Sequence, residues 1–282
     1  LLWSAVMRIA ILYNRDIHSN EALNHLLPGL TGHELGLFFS RGVGASTQRD
    51  QRLTRLGFVE QTLFNDLVFP LVEQRQTVGR RLTFAQLADR AGCAETAIAD
   101  INSDADRGLL AAFQPDLLVS IRFGQILQPP VLALPPHGTL NLHSGRLPQY
   151  RGVMATFWSL LDGADQLGMT LHWIDSEGID VGPTIATTAQ ALQSGASYFK
   201  QTQSLYRAGV AALLSAIATI VKGQRPDSQL PTGEGRYFTF PDADSLDRFE
   251  SNGHRLFSDT DLQDLMAEFL FPESDSDAPK QA

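Results

Sequence analysis

Apolar runs alternate along this chain with segments of helical spacing. Arg8 to Tyr13 is a short apolar run built on Ile9, Ala10, Ile11 and Leu12, and the polar pair Ser19-Asn20 then precedes a pattern with Leu23, Leu26 and Leu27. Such a run reads as a buried strand, and a Ser or Asn ahead of helical spacing reads as a cap. Glu34 to Ser40 reads as a second strand. Leu53 to Val72 predicts a helix that Pro70 must end or kink, because proline has no amide hydrogen to give to the ladder. Phe84 to Arg90 predicts another, closed by Gly92. Ala94 to Ile101 and Asp116 to Ile121 have the continuous apolar character of strands buried on both faces, and Asn102-Ser103-Asp104 caps a helix between them that ends near Phe113. This alternation predicts an α/β fold with a doubly wound, mostly parallel sheet.

The pattern continues with a strand, Thr139 to His143, and a helix, Met154 to Leu161. Met169 to Ile174 and Thr184 to Thr188 read as a strand pair joined by the glycine-bearing loop Asp175 to Gly182. Ser197 to Lys222 is the longest helical candidate. Past Gly223, Pro226, Pro231, Gly233, Gly235 and Pro241 mark a linker or extended arm, followed by two short helices, Asp242 to Asn252 and Asp259 to Phe269, each begun by an acidic cap. Pro272 to Ala282 is polar and expected to be disordered. The expected organisation is a main domain over 7–222, a small C-terminal appendage over 223–271 and a tail over 272–282, with no internal repeat.

Composition narrows the function. Of 282 residues, 43% are hydrophobic and 19% charged, enough for a sizeable core. The net charge of −9 makes nucleic acid a disfavoured partner. Cys93 is the single cysteine, so the chain has no internal disulfide and no cysteine-based metal site, which fits a reducing compartment. Leu1 to Val6 lacks the features of a secretory signal, and Met7 stands nearer the expected domain start. The longest apolar stretch, Gly209 to Val221, is interrupted by Ser215 and Thr219 and is too short to span a bilayer. A soluble, cytoplasmic protein without membrane contact is expected.

In doubly wound sheets, ligands gather at the carboxyl ends of the strands. Asn141 and His143 lie two apart near such an end, so both side chains share one face. Taken singly, Asn141 reads as a turn former, His143 as a core histidine and Asp180 as a turn residue among glycines. His137, His143 and His172 have no recognised metal-ligand spacing, and no metal is expected.

Together these residues say more. The run Asn141-Leu142-His143-Ser144-Gly145-Arg146-Leu147-Pro148-Gln149-Tyr150-Arg151-Gly152 resembles the active-site segment of the folate-dependent formyltransferases: Asn-x-His, a loop ending Leu-Pro, then a basic residue and glycine. Gly168-Met169-Thr170 and Gly178-Ile179-Asp180-Val181-Gly182-Pro183 resemble the family's second segment. Phe123-Gly124-Gln125-Ile126-Leu127, followed by Pro129, resembles its folate-binding turn. The three occur in the family's order, and the resemblance covers roughly Met7 to Lys222.

The resemblance implies a Rossmann-like domain that moves a formyl group from 10-formyltetrahydrofolate, its co-substrate, to an amine. Attack on the formyl carbon creates a tetrahedral oxyanion and requires a proton to travel from the amine to the departing folate nitrogen. By resemblance, Asn141 donates an amide hydrogen to the oxyanion. His143 as imidazolium donates a second, and Asp180 favours that charged form and holds a relay water. The folate's pterin edge is expected on Phe123, Gly124, Gln125, Ile126 and Leu127, on Ser176, Glu177 and Gly178, and on the turn Gly145, Arg146, Leu147 and Pro148, largely through backbone groups. Arg122 departs from the small residue common before the Phe-Gly turn, and either touches the folate's acidic tail or the acceptor, or makes a surface salt bridge. Ser19-Asn20 falls where purine-pathway members carry a glycine-rich phosphate loop. No glycine is present there, so an ordinary helix cap is expected in its place.

The expected acceptor is a small amine, an amino sugar or an amino-acid-like metabolite. Two alternatives stand beside it: formylation of methionyl-tRNA, and hydrolysis of 10-formyltetrahydrofolate, although such hydrolases carry a regulatory domain ahead of the catalytic one. The region after Gly223 is rich in Asp and Glu and should repel tRNA. Its segment Tyr237-Phe238-Thr239-Phe240-Pro241 has no chemical reading. Phe249, Leu256, Phe257, Leu265, Met266, Phe269 and Leu270 pack either the appendage or a second copy, and a homodimer through this extension is the expectation.

Overall fold

The computed structural model describes residues 6–40, 49–76 and 78–272. Leu1 to Ala5 and the tail expected to be disordered, apart from Pro272, lie outside the described residues. In chain order the elements are β1 (Arg8–Asn14), α1 (Ile17–Leu26), β2 (Glu34–Ser40), α2 (Gln51–Gly57), α3 (Phe69–Gln74), α4 (Phe84–Ala91), β3 (Glu95–Ala97), α5 (Asp104–Phe113), β4 (Leu117–Ile121), α6 (Pro129–Leu132) and β5 (Thr139–His143). Then come β6 (Tyr150–Gly152), α7 (Ala155–Leu161), β7 (Gln166–Leu167), β8 (Thr170–Trp173), β9 (Thr184–Thr187), β10 (Gln190–Ala191), α8 (Tyr198–Val221), β11 (Arg236–Phe238), α9 (Ala243–Ser251) and α10 (Asp259–Leu270).

Seven strands form one sheet in the order β3-β2-β1-β4-β5-β8-β9. The first five run parallel, β8 runs antiparallel to β5, and β9, antiparallel to β8, returns to the direction of the first five. Alternate side chains of a strand face opposite ways, so β1 sends Ile9, Ile11 and Tyr13 into one core and Ala10 and Leu12 into the other. That double burial is why the strand reads as an unbroken apolar run. From β1 the chain winds outward to β2 and β3, then returns to β4 and β5 on the other side. The carboxyl ends of β1 and β4 therefore diverge, and a crevice opens between them.

The larger core is roofed by α8, which packs against α1, α7, β5 and β8. Gly209 permits that approach, since a Cβ there would sit 2.5 Å from Met169 Sδ and 3.2 Å from Leu142 Cδ1. By length and composition α8 would suit a bilayer. Here its apolar face, including Phe199, Tyr206, Val210, Leu213 and Ile217, is buried in the core.

Four expectations need correction. Ala94 to Ile101 contains only the three-residue edge strand β3, whose residues stay partly or wholly exposed because no strand lies beyond it. Leu53 to Val72 neither ends nor breaks at Pro70: α2 passes through a stretch of i→i+5 hydrogen bonding, Phe58–Val68, into α3, whose first turn holds the proline where its missing hydrogen is tolerated. Asp16, not Ser19-Asn20, caps α1. Asp242 caps α9, whereas α10 is capped by Ser258, with Asp261 returning the bond.

The C-terminal extension folds back on the body. β11 pairs in parallel with β6. Phe249 stacks on Phe157 with ring centroids 4.4 Å apart, and Phe269 lies 5.0 Å from Phe69 and 5.9 Å from Phe64. Phe249, Leu256, Leu265 and Phe269 are buried in the main core, and Phe257, Met266 and Leu270 pack against it. The apolar residues expected to meet a second copy are thus covered by this chain's own core.

Candidate active site

The ends of β1, β4 and β5 open onto a cavity of about 840 Å³, a size that suits a drug-sized ligand. β5 places Asn141 and His143 on its wall, and the pairing of β5 with β8 sets His172 directly opposite Asn141. The loop after β8 brings in Asp180 with φ of 53°, in the left-handed region that Asp tolerates better than most residues. Three of the five left-handed non-glycine residues among the described residues, Arg122, Met154 and Asp180, line this cavity. Backbone strain of this kind concentrates at functional sites.

Asp180 Oδ2 accepts the Gly152 N–H at 2.8 Å and lies 3.4 Å from His143 Nδ1. Its Oδ1 lies 3.4 Å from His172 Nε2 and from Asn141 Nδ2. Burial alone would raise the Asp180 pKa. The two imidazoles and the Gly152 N–H outweigh it and hold the carboxyl at about 2.

The hydrogen bonds fix where protons sit. His143 Nε2 lies 2.6 Å from the Tyr150 carbonyl, which can only accept, so Nε2 carries a hydrogen and Nδ1 faces Asp180. His172 Nδ1 lies 2.9 Å from the Trp173 carbonyl and donates to it. When the ring is neutral, its Nε2 accepts from Asn141 Nδ2 at 3.0 Å. One Asn141 hydrogen is therefore well held. The other makes only the 3.4 Å contact with Asp180 and can be given to a ligand at little cost.

A model of the family described as formyl transferase matches residues 74–217, half of the chain. The chain belongs to the formyl transferase family. Among curated relatives, a methionyl-tRNA formyltransferase of Desulfotalea psychrophila is 32% identical over 148 residues, covering 51% of this chain and 46% of that protein. The chain's match thus spans about half the length of such relatives. Among solved structures, glycinamide ribonucleotide transformylase 1 of Symbiobacterium toebii aligns with a TM-score of 0.54 and 19% identity, covering 80% of this chain and 94% of that one. A sugar N-formyltransferase of Shewanella sp. FDAARGOS_354 gives 0.53 and 16%, over 82% and 76%. These two share the fold, a mostly parallel sheet flanked by helices.

For this formyl transferase fold, the residues singled out as folate ligands divide into two groups. Phe123 to Leu127 and Ser176 to Gly178 line the cavity. Gln125 turns its side chain away, accepting the Ile101 N–H at 2.8 Å and donating to the Ala99 carbonyl at 3.1 Å. Among the described residues the backbone groups of Gly124, Gln125 and Leu127 make no hydrogen bond. An open backbone edge of that kind fits a planar, hydrogen-bonding ring system. Gly145, Arg146, Leu147 and Pro148, by contrast, do not line the cavity. Thr170 Oγ1 ties this turn down, donating to the Gly145 carbonyl at 2.7 Å and accepting from Leu147 N at 3.1 Å. A Cβ on Gly145 would sit 2.8 Å from His143 Nε2, so the turn packs against the histidine from behind.

Arg122 makes no surface salt bridge. Its Nε lies 2.9 Å from the wholly buried Asp16, and Nη2 lies 3.5 Å from Glu60. His137 precedes β5 while His143 ends it, so the three histidines do not converge, and no group of metal ligands occurs among the described residues. Sequence reasoning missed Asn14, Arg49, Glu60, Tyr237 and Phe240 on the cavity wall, and missed the role of His172 in holding Asn141. The aromatic run 237–241 carried the one visible signal.

Proposed function

We propose that this protein transfers a formyl group from 10-formyltetrahydrofolate to a small amine, with Asn141, His143 and Asp180 as its catalytic residues. The observation that carries this reading is the convergence of those three side chains on one wall of a cavity whose neighbouring wall is the open backbone edge at Gly124 to Leu127. Asn141, oriented by His172, presents its loosely held amide hydrogen to the formyl oxygen as negative charge develops there. His143 lies beside it, and its Nε2 hydrogen, held by the Tyr150 carbonyl, becomes the second donor when the oxyanion takes that hydrogen over, while Asp180 faces the other ring nitrogen. Asp180 also offers an oxygen through which a proton passes from the attacking amine toward the folate nitrogen. No covalent bond to the protein forms. Phe123 to Leu127 and Ser176 to Gly178 hold the donor.

The small-amine reading rests on charge: the extension past Gly223 is strongly acidic, and tRNA needs basic surface to neutralise several phosphates. Formylation of methionyl-tRNA is the second reading, favoured by the names of the curated relatives. The assay that separates them is formyl transfer at low salt to methionyl-tRNA and, in parallel, to a panel of amino sugars and diamines. Efficient, salt-sensitive turnover on tRNA overturns the small-amine reading. Turnover of the donor with no amine present overturns both in favour of hydrolysis.

A further inference from the structure

The cavity has a second polar wall, at the end of β1, that the three proposed catalytic residues do not occupy. Asp16 is fully buried there. Its Oδ1 accepts the Ser19 N–H at 2.8 Å at the amino end of α1. Its Oδ2 accepts from Asn14 Nδ2 and from Arg122 Nε, each at 2.9 Å. Glu60 stands beyond Arg122, with Oε2 at 3.5 Å from Nη2 and Oε1 at 3.2 Å from His18 Nε2. A helix amino end attracts anions, but this one already holds the chain's own carboxylate. The Arg122 guanidinium is bracketed by two carboxylates, Asp16 and Glu60, and offers no unmatched charge to a second anion. Asn14 lines the same wall, is 1% exposed, and has no hydrogen-bond partner for its Oδ1 among the described residues. A buried amide oxygen left unpaired is costly until a donor reaches it.

We infer that this wall binds the acceptor through the acceptor's own hydrogen-bond donors, a hydroxyl or a second amino group given to Asn14 Oδ1 and Glu60, and that it rejects a phosphate there. The inference rests on the formyl-transfer reading for the identity of the cavity. A phosphate at this wall would face Glu60, with Asp16 already pairing Arg122 behind it, and like charges so placed are strongly unfavourable. Arg49, the other arginine on the cavity wall among the described residues, sits 3.9 Å over the Phe240 ring, in the aromatic part of the wall.

The test is calorimetric titration of the wild-type protein with glucosamine, 1,4-diaminobutane and glucosamine 6-phosphate, each with and without saturating 5-formyltetrahydrofolate. At least one unphosphorylated amine is expected to bind, with glucosamine 6-phosphate at least about tenfold weaker than the better of the two. Which of the two binds tells a hydroxyl donor from an ammonium. Glu60→Gln should weaken the bound amine at least about fivefold and leave 5-formyltetrahydrofolate affinity unchanged, which also shows that the variant is folded. Binding of the 6-phosphate as tight as that of the better amine, binding of neither amine, or an unchanged amine affinity in a folded Glu60→Gln overturns the inference. Failure of 5-formyltetrahydrofolate to bind overturns the formyl-transfer reading instead, and the titrations without folate still decide the acceptor wall.

Discussion

Two buried aspartates, Asp16 after β1, behind the cavity-lining Asn14 and Arg122, and Asp180 after β8, on the cavity lining itself, solve the same electrostatic problem differently. Burial works against the charge of each, and in each case nearby groups reverse that and lower the pKa. Asp16 is held chiefly by Arg122, a guanidinium that stays charged at any physiological pH. Asp180 is held chiefly by His143 and His172, two imidazoles in place of a guanidinium. A carboxylate against a permanent cation is a fixed strut. A carboxylate against two imidazoles suits the proton path proposed for Asp180. The difference lies in the partner and not in the acid.

The largest way to break this contrast is to neutralise each aspartate in turn. Asp16→Asn removes the nearer carboxylate from Arg122 and leaves it the longer Glu60 ion pair, and losing one member of a buried ion pair costs about 3–5 kcal/mol. The urea midpoint should fall sharply with an unchanged slope. Asp180→Asn should lose much less stability and far more turnover. Equal loss of stability in the two variants would erase the distinction. Next in size are Asn141→Ala and His143→Ala, each expected to lower kcat at least about a hundredfold, or about 2.7 kcal/mol, while donor affinity survives. Single-turnover rates and donor binding measured side by side check this, and near-normal turnover removes that residue from the mechanism.

The two walls also differ in how far the sequence betrays them. Asn141 and His143 are two apart on one strand, so local geometry puts them on one face, and the Asp180 loop is marked by its glycines. The β1 wall is assembled from three stretches far apart in the chain, Asn14 with Asp16, then Glu60, then Arg122, and nothing in the spacing of the three announces a meeting. The continuous apolar runs of β1, β2 and β4 were legible because both faces are buried. Edge position hid β3: an outer strand needs little apolar sequence, and the reading overextended it to the buried Ile98 and Ile101 nearby. Likewise, no local pattern distinguishes a C-terminal helix that covers its own core from one that waits for a partner.

Acid titration sharpens the comparison at smaller amplitude. Asp180 has a folded pKa of about 2 against an ordinary 3.8. A depressed carboxylate stabilises the fold above its unfolded pKa and loses that contribution as pH falls through the folded value, here between about 4 and 2. The contribution is about 2 kcal/mol by linkage. Stability of the wild type should drop through that window, and the drop should be reduced in Asp180→Asn. Asp16 titrates downward in the same direction, so a residual slope should persist in Asp180→Asn and shrink further when Asp16→Asn is added. A wild-type profile that is flat below pH 4 would contradict the ionised state assigned to both carboxylates.

The smallest expected effect concerns the arm that bridges the two walls. Side chains alternate along β11, so Phe238 stacks on Trp158 with centroids 4.7 Å apart while Tyr237 turns to the cavity, where Phe240 joins it. Trp158 Nε1 donates to the Thr239 carbonyl at 3.1 Å, and Gly152, at φ 92°, admits the arm where a Cβ would lie 2.2 Å from the Phe238 carbonyl oxygen. The arm is therefore fixed by Phe238 and Trp158, and Tyr237, half exposed, is available for contact without holding the fold. An aromatic face at a cavity mouth adds binding area and little else, worth about 1 kcal/mol when it stays partly wet. Tyr237→Ala should raise the acceptor KM about fivefold, leave kcat and the donor KM unchanged, and move the melting temperature by no more than a few degrees. Phe238→Ala should instead loosen the whole arm and lower stability. If Tyr237→Ala raises the donor KM and spares the acceptor, the arm serves the folate wall, and the division of the cavity into an acceptor side and a donor side must be redrawn.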